Sequence, residues 1–257
     1  MMIHQTAEKL RAMKLPAMAT EYIRQSELPA MSALDFDERV GMMADAEWLS
    51  RDNSRVKRLT KDAKLRYPAA CFADIDFRPS RKLDRAYIAR LTDFAWAKEA
   101  RNMILTGSTG TGKTWLACAF GTQACRIGLR VMFYRMNRLL GDMAVAAGTG
   151  CADKFLDKLK KCDILILDDW GLSALTLLEG KFLHEVFEVR YGEKSTIISA
   201  QLPVSEWHGL FEDRTAADAV LDRVVHNSYR LELQGPTMRL DVSKAAASFG
   251  GDGEHDA

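Results

Sequence analysis

The stretch that decides the fold is Gly107-Ser-Thr-Gly-Thr-Gly-Lys-Thr114, which matches the phosphate-loop pattern G-x-x-x-x-G-K-[ST] in full. In such a loop, glycines let successive backbone N–H groups face a phosphate, and the following helix adds its positive end. Lys113 is expected to reach the β- and γ-phosphates, and the Thr114 hydroxyl to bind Mg²⁺. The predicted nucleotide-binding residues are Gly107, Ser108, Thr109, Gly110, Thr111, Gly112, Lys113 and Thr114.

The residues that flank the loop support this interpretation. Residues 103–105 are apolar, as in a strand, and residues 115–125 place Leu116, Ala119 and Phe120 on one helical face. A chance glycine turn is the alternative, and the order of strand, loop and helix argues against it.

A second group of functional residues is expected where a neighbouring strand ends. Residues 164–167 are apolar and are followed directly by Asp168 and Asp169. Two adjacent acids after a buried strand are costly to fold unless a cation or a bound water uses them. Asp168 is expected to hold Mg²⁺ with Thr114, and Asp169 to orient or deprotonate the attacking water. The alternative is that Asp168 and Asp169 belong to a solvated turn, and the presence of the phosphate loop argues against this alternative.

Polar residues farther along the chain are candidates for sensing the γ-phosphate and for neutralising charge in the transition state. Ser199 and Gln201 come at the end of the next apolar run, and one of them is expected to be the sensor. Arg223 follows an amphipathic segment, and it is a candidate to act on the nucleotide of a neighbouring subunit. A surface ion pair is the competing interpretation for Arg223.

From residue 103 onward, short apolar runs alternate with amphipathic stretches. The candidate strands are residues 103–105, 130–133, 164–167, 195–199 and 229–233. This alternation predicts an α/β fold with a parallel five-stranded sheet flanked by helices.

The first part of the chain has a helical pattern instead. Ser32-Ala-Leu-Asp35 has the form of a capping box, after which apolar residues recur at helical spacing. We therefore expect four regions along the chain. They are a small all-helical N-terminal domain (1–66), a connector (67–102), a nucleotide-binding domain (103–242) and a disordered acidic tail (243–257).

Composition limits the class of protein. The 257 residues carry 36 Lys+Arg against 35 Asp+Glu, and 47% are hydrophobic, which excludes disordered and collagen-like chains. No apolar run approaches the roughly 20 residues that a membrane span needs, and no secretory signal is evident. We expect a cytoplasmic protein with no membrane contact. Five widely spaced cysteines without a C-x-x-C pair argue against a disulfide framework and a zinc site.

Several short segments add to the phosphate loop a pattern typical of one family. They are Lys64-Leu-Arg-Tyr-Pro-Ala-Ala-Cys71, Asp74-Ile-Asp-Phe77, Trp115-Leu-Ala-Cys118, Leu165-Ile-Leu-Asp-Asp-Trp-Gly171, Ser195-Thr-Ile-Ile198 and Leu221-Asp-Arg-Val-Val-His-Asn227. Together they resemble the IstB-type transposition helper ATPases of bacterial insertion sequences. These are AAA+ proteins close to the helicase loader DnaC and the initiator DnaA.

The resemblance implies an AAA+ ATPase that uses ATP and Mg²⁺ and forms homo-oligomers with ATP at subunit interfaces. It also implies a protein that binds and deforms duplex DNA and delivers it to a partner transposase. Arg223 then becomes the expected arginine finger acting in trans, and Arg239 fits a nucleotide-sensing or interface role.

Two positions depart from the family pattern. Asp169 stands where many AAA+ proteins have Glu, so we expect slow hydrolysis, stimulated by DNA or by the transposase. Residues 235–240 read Gly-Pro-Thr-Met-Arg-Leu, where related helpers typically have Glu-Ser-Met-Arg followed by Lys, which leaves the role of Arg239 open.

The near-neutral total charge hides a local excess of cations. Residues 48–66 contain seven basic and two acidic residues, and Lys154 and Lys158 form a second pair at helical spacing. Such cations bind DNA phosphates with little sequence specificity. The predicted DNA-binding residues are Arg51, Arg55, Lys57, Arg58, Lys61, Lys64, Lys154 and Lys158. A solvated helix or a transposase-binding surface are the alternatives.

Three other functions remain open at this point. A DnaC-like helicase loader would use the same ATPase residues. A small-molecule P-loop kinase would need lid arginines and an acceptor pocket, and would have no use for the basic helix. A nucleotide-gated scaffold would bind ATP without hydrolysing it.

Overall fold

The computed structural model describes residues 2–238, which divide into two compact units with the boundary after Arg58. The α-helices are α1 Met2–Ala12, α2 Pro16–Glu27, α3 Phe36–Ala63, α4 Arg85–Leu91, α5 Ala95–Lys98, α6 Lys113–Arg126, α7 Met136–Gly148, α8 Ala152–Lys160, α9 Leu177–Glu188 and α10 Arg214–Val225. The strands are β1 Asn102–Thr106, β2 Val131–Arg135, β3 Ile164–Trp170, β4 Ser195–Ala200 and β5 Ser228–Glu232. Across this part of the chain, every helix is too short or too polar to cross a membrane.

The five strands form one parallel sheet in the order β2-β3-β4-β1-β5. This confirms the predicted α/β fold. Helices connect the strands, and β2 is joined to β3 by two of them, α7 and α8. Because all strands run the same way, the carboxyl ends of β1, β3 and β4 lie side by side at one edge, where ligands bind in open α/β sheets.

The central strands are buried on both faces of the sheet. In β1, Met103 and Leu105 pack in a cluster with α6, whereas Ile104 points to the other face and packs in a cluster with α7, α9 and α10. All three side chains are fully buried. Burial on both faces explains why these strands are continuous apolar runs rather than alternating ones.

In the first unit, Glu47 of α3 holds the start of α2. Its carboxylate accepts hydrogen bonds from the backbone N–H groups of Ala17 (2.9 Å) and Met18 (3.2 Å), and it pairs with Arg51 (2.8 Å). The Arg51 hydrogen bond keeps the pKa of Glu47 below its ordinary value. A carboxylate at this position also complements the positive end of the helix.

The predicted capping box at Ser32 was wrong. Ser32 lies in a 3₁₀ helix, Pro29–Ala33, and its hydroxyl donates to the Pro29 carbonyl (2.5 Å). Helix α3 is capped by Asp35 instead, which accepts from the Glu38 N–H (2.7 Å) while the Glu38 carboxylate accepts from the Asp35 N–H (3.3 Å). The same type of reciprocal cap therefore lies three residues farther along the chain.

The division after Arg58 differs from the predicted domain boundary at residue 66. Leu59, Ala63 and Leu65 are buried in a core cluster of the second unit. The last turns of α3 are therefore part of the unit that contains the sheet.

Residues 67–102, which we expected to be a connector, supply part of the same core. The rings of Phe94 and Trp96 are buried and pack against Phe120 of α6, with centroid separations of 6.2 and 6.3 Å. The predicted tail, residues 243–257, lies outside the described residues.

Arg190 is a buried cation that joins three segments of the sheet unit. Its side chain is 1% exposed. Nη1 donates to the carbonyls of Leu159 (2.5 Å) and Cys162 (3.0 Å), and Nη2 donates to the carbonyl of Ser195. The guanidinium thus ties the end of α8 and the approach to β3 to the start of β4.

Replacing Arg190 with Met keeps the length of the side chain but removes the donors for these carbonyls. An unsatisfied buried polar group costs about 1–3 kcal/mol, so we expect Arg190→Met to lower the free energy of unfolding by at least about 2 kcal/mol. Urea denaturation followed by circular dichroism measures this. The control is Arg138→Met, because that side chain is exposed; equal urea midpoints for the two variants would contradict the role of Arg190.

Candidate functional site

The phosphate loop joins β1 to α6 at the carboxyl edge of the sheet. Gly110 and Gly112 have φ angles of +85° and +89°, a region that residues with a Cβ rarely adopt. Gly112 is the N-cap of α6, so the first N–H groups of this helix have no acceptor within the helix. Loop and helix together form the expected cradle for an anion.

Lys113 is held within this cradle. Its ammonium donates to the carbonyls of Gly107 (2.7 Å) and Ser108 (2.9 Å), and the residue is 8% exposed. A buried cation is thereby fixed at the loop that would receive the phosphates. This position fits the predicted role of Lys113.

The buried carboxylate of Asp168 connects three strands at this edge. The Thr114 hydroxyl lies 2.8 and 3.0 Å from its two oxygens, and the Ser199 hydroxyl at the end of β4 also donates to it. Asp168 is fully buried. Hydroxyl and carboxylate oxygens are ligands that Mg²⁺ accepts, together with phosphate oxygens. Thr114 and Asp168 therefore fit the predicted magnesium site.

Asp169 occupies an irregular position at the end of β3. The pairing of β3 with β4 shifts register between Leu167 and Trp170, and Asp169 has a φ of +63°. Such a bulge re-aims a side chain, and backbone strain of this kind is found at functional sites. Burial, followed by the charge of Asp168, raises the pKa of Asp169 above its ordinary value. Its Oδ2 lies 3.8 Å from Nε of Arg135.

A cavity of about 240 Å³ collects most of the predicted nucleotide residues. Lys113, Thr114 and Asp169 line it together with both candidate sensors, Ser199 and Gln201. The sensors differ in their contacts. Ser199 binds Asp168, whereas Gln201 accepts a hydrogen bond from Thr109 of the loop (2.8 Å).

Five residues that line this cavity were missed at the sequence level: Arg66, Tyr67, Trp115, Ala200 and Met238. Arg66 was counted with the basic stretch, yet its guanidinium lies 5.5 Å from the centre of the Tyr67 ring beside the loop. Trp115 follows the loop directly and Ala200 lies between the two candidate sensors, so sequence proximity could have indicated both. The other three reach the site only through the tertiary fold.

Arg223 lies away from this cavity, near the amino ends of the strands. The Asn102 side chain, where β1 begins, donates to the backbone carbonyl of Arg223 (3.1 Å). The guanidinium forms an ion pair with Glu188 and lies 5.8 Å from the centre of the Tyr191 ring. Arg223 is therefore at the edge of the sheet opposite to the phosphate loop of its own chain. Arg239 lies outside the described residues.

The predicted DNA-binding cations fall into two groups. Arg51 and Arg55 are engaged within the first unit, by Glu47 and Asp52 respectively. The others are exposed on the surface and, between residues 2 and 238, form no ion pair; they are Lys57, Arg58, Lys61, Lys64, Lys154 and Lys158. Of these, Lys61, Lys64 and Lys158 line one cleft of the second unit.

Comparison with known proteins settles the family. Residues 8–246 match the family described as IstB-like ATP binding protein. The chain belongs to this family of ATP-binding AAA+ helper proteins. It is 45% identical over 205 residues to the protein named as the ATP-binding protein of insertion sequence IS1162 in Pseudomonas fluorescens, covering 80% of this chain and 89% of that relative. It is 39% identical to the insertion sequence ATP-binding protein y4pL of Sinorhizobium fredii, over 93% of this chain and 97% of the relative.

Solved structures show the same AAA+ fold. DnaA from Aquifex aeolicus, bound to AMPPCP, aligns with a TM-score of 0.56 and 19% identity over 74% of this chain, which spans 57% of that protein. DnaI aligns with a TM-score of 0.55 and 19% identity, over 65% of this IstB-like chain and 92% of DnaI. At these identities the likeness concerns the fold.

Removal of the Lys113 ammonium tests the assignment of the cradle. We expect Lys113→Ala to abolish detectable binding of a fluorescent ATP analogue while the far-ultraviolet circular dichroism spectrum stays unchanged, because the cation at the loop is lost. The matched control is Lys181→Ala, on the exposed side of α9. Equal affinity of Lys113→Ala and the control for the analogue would rule out this role of Lys113.

Proposed function

We propose that this IstB-like protein is an ATPase that assembles into homo-oligomers on duplex DNA, deforms the DNA and delivers it to a partner transposase. Membership in a family of insertion sequence proteins supports the transposition role. The observation that carries the oligomeric mechanism is the placement of Arg223. The cavity holds the groups that would bind the phosphates and Mg²⁺, whereas Arg223, the proposed arginine finger, lies at the opposite edge of the sheet.

Within one chain, the proposed roles follow from the contacts. Lys113 and the N–H groups of the loop bind the β- and γ-phosphates of ATP. Thr114 and Asp168 hold Mg²⁺, which would neutralise charge on the phosphates, and Ser199 fixes the orientation of the Asp168 carboxylate. Gln201 is the better candidate for the γ-phosphate sensor, because its oxygen binds Thr109 and, among residues 2–238, its amide N–H groups have no hydrogen-bond partner.

Asp169 is the proposed base for the attacking water. Its carboxylate lines the cavity beside Lys113 and accepts the proton as the water attacks the γ-phosphorus. The aspartate side chain is one methylene shorter than the glutamate of many AAA+ proteins. We therefore propose that hydrolysis is slow in the free protein and is stimulated by DNA or by the transposase.

Assembly would complete the site. An arginine that stabilises charge on the transferred phosphoryl group can be supplied by another subunit. In the single chain the Arg223 guanidinium is only partly exposed and pairs with Glu188. To act on the nucleotide of a neighbouring subunit, Arg223 would have to leave Glu188, or the ion pair as a whole would have to turn towards that subunit. ATP between subunits then couples nucleotide state to oligomer formation.

Sequence-independent DNA binding follows from the exposed cations. They are exposed on surfaces of both units, and contacts from such cations to backbone phosphates carry no sequence information. Binding of this type releases counterions and weakens as salt rises. DNA binding would thus be controlled by assembly rather than by target sequence.

A helicase loader is the nearest alternative, because it uses the same ATPase parts. The likeness to the DnaC helicase loader, with a TM-score of 0.50 and 21% identity, concerns the fold. The family match to IstB-like proteins therefore favours the transposition helper.

Substituting Asp169 by Asn separates nucleotide binding from hydrolysis. We expect Asp169→Asn to retain ATP-dependent DNA binding and to lose ATP turnover, because the amide cannot accept the proton. Release of inorganic phosphate and an electrophoretic mobility shift measure the two properties. Turnover at the wild-type rate would remove Asp169 from the mechanism.

Mixing two inactive variants tests whether Arg223 acts on a neighbouring subunit. Arg223→Ala keeps an intact cavity, and Lys113→Ala keeps an intact finger. We expect each variant alone to be inactive as an ATPase in the presence of DNA, and an equal mixture to regain part of the activity. The reason is that mixed oligomers contain interfaces with both intact parts.

The matched control for this experiment is Arg214→Ala, an exposed arginine at the start of the same helix, α10, which should be as active as wild type. Full activity of Arg223→Ala alone would contradict an arginine-finger role. A mixture that stays inactive while Arg223→Ala still binds ATP would contradict action in trans.

A further inference from the structure

Arg66 brings a second cation to the nucleotide cavity. The charged residues that line this cavity are Arg66, Lys113 and Asp169. Lys113 is buried and held by two carbonyls of the loop, whereas Arg66 is exposed. Within the part of the chain that the structure describes, the Arg66 guanidinium has neither an ion pair nor a hydrogen bond, and it lies over the Tyr67 ring. Arg66 is therefore available to bind an anion in this cavity.

Packing against α6 holds the backbone of Arg66 beside the phosphate loop. Leu65, the residue before it, is buried and packs against Gly121 of α6, where a Cβ would come within 2.8 Å of the Leu65 side chain. Backbone hydrogen bonds also link Tyr67 and Arg66 to Cys118 of the same helix. The segment that carries Arg66 is thus fixed along the helix that begins at the phosphate loop.

The position of Asp169 indicates which end of a nucleotide Arg66 faces. In the sheet order β2-β3-β4-β1-β5, β3 and β5 lie on opposite sides of β1. Asp169 lies near the end of β3; burial raises its pKa, and the charge of Arg66 is close enough to act against this rise. Beyond β5, the Met238 N–H donates to the carbonyl of Gly110 (2.9 Å). Arg66 is therefore on the side of the proposed base, not on the side of Met238.

A guanidinium at this place fits the γ-phosphate of ATP. Its planar fork of N–H donors matches the oxygens of a phosphate group. The negative charge of the Asp169 carboxylate repels the γ-phosphate, although both must approach the same water molecule. A cation beside them offsets this repulsion. Arg66 has the charge, the donors and the position for this task.

We propose that Arg66 is a catalytic residue of its own chain, whose guanidinium binds the γ-phosphate of ATP in the cavity; this inference rests on the proposed function. In the reaction, the water oxygen bonds to the γ-phosphorus and the water proton passes to Asp169. The bond from the γ-phosphorus to the oxygen shared with the β-phosphate breaks, and its electron pair stays on ADP. Arg66 neutralises charge on the non-bridging oxygens and transfers no proton. The complete site then uses two arginines, Arg66 from the same chain and Arg223 from the neighbouring subunit.

Comparison of two nucleotides tests the contact with the γ-phosphate. We expect Arg66→Gln to bind a non-hydrolysable ATP analogue about tenfold more weakly than wild type, because a charge-assisted hydrogen bond is lost. The affinity for ADP, which lacks the γ-phosphate, should equal that of wild type and thereby show that the cavity is folded. Arg66→Lys keeps the charge and should recover part of the lost affinity. Isothermal titration calorimetry measures all three. Equal losses for the analogue and ADP, or no loss for either, would overturn the proposal.

Arg90→Gln is the matched control for the binding experiment. Arg90 is also exposed, and its guanidinium lies 5.6 Å from the centre of a tyrosine ring, that of Tyr87, but it is not among the residues that line the nucleotide cavity. This variant should bind both nucleotides as wild type does. If Arg90→Gln lost as much affinity for the analogue as Arg66→Gln, a general loss of surface charge would explain both, and the proposal would be wrong.

Mixed oligomers test whether Arg66 serves its own chain. We expect Arg66→Gln to lower ATP turnover in the presence of DNA by about 100-fold, the effect typical of a lost donor to the transition state. Mixed with Arg223→Ala, whose cavity is intact, it should regain part of the activity. Mixed with Lys113→Ala, whose own cavity is also defective, it should stay inactive. An inactive first mixture or an active second mixture would contradict action within one chain.

The mixture of Lys113→Ala with Arg223→Ala separates failure of this inference from failure of the proposed function. If that mixture stays inactive, the proposed action of Arg223 in trans fails, and the comparison of the ATP analogue with ADP still decides whether Arg66 binds the γ-phosphate. If that mixture regains activity while Arg66→Gln alone turns over ATP at the wild-type rate, only the inference fails.

Discussion

The fold of the site depends on one buried carboxylate, Asp168. A fully buried charge is tolerated only where partners satisfy it, and here the hydroxyls of Thr114 and Ser199 do so. These three residues come from the loop after β1 and from the ends of β3 and β4, which are neighbours only because the sheet is parallel and ordered β2-β3-β4-β1-β5. The need to satisfy Asp168 therefore fixes the phosphate loop against the other two strands.

The local parts of this arrangement could be predicted from sequence, because each is encoded in a short stretch. The loop from Gly107 to Thr114, the acids that end β3 and the alternation of strands and helices all have fixed spacing. What the sequence left out depends on packing between distant segments. Arg66 was grouped with the basic stretch, yet it lines the nucleotide cavity, and Arg135 at the end of β2 lies 3.8 Å from Asp169.

The same reasoning explains the differences at element boundaries. Leu65 was assigned to the helical first domain, but its burial in the sheet unit is decided by α6, more than fifty residues away in the chain. The cap of α3 moved from Ser32 to Asp35, because two overlapping stretches can each form a cap and Ser32 bonds locally in a 3₁₀ turn. The sequence pattern alone does not show which of the two caps forms.

In the proposed mechanism, hydrolysis needs a group that the single chain does not bring to its own site. Arg223 would come from a neighbouring subunit. The most direct measurement is imaging of the protein with a non-hydrolysable ATP analogue, Mg²⁺ and duplex DNA. The account predicts an oligomer on the DNA, with Arg223 of each subunit facing the nucleotide of the next. Nucleotide-bound monomers on DNA, with the pair between Arg223 and Glu188 intact, would contradict it.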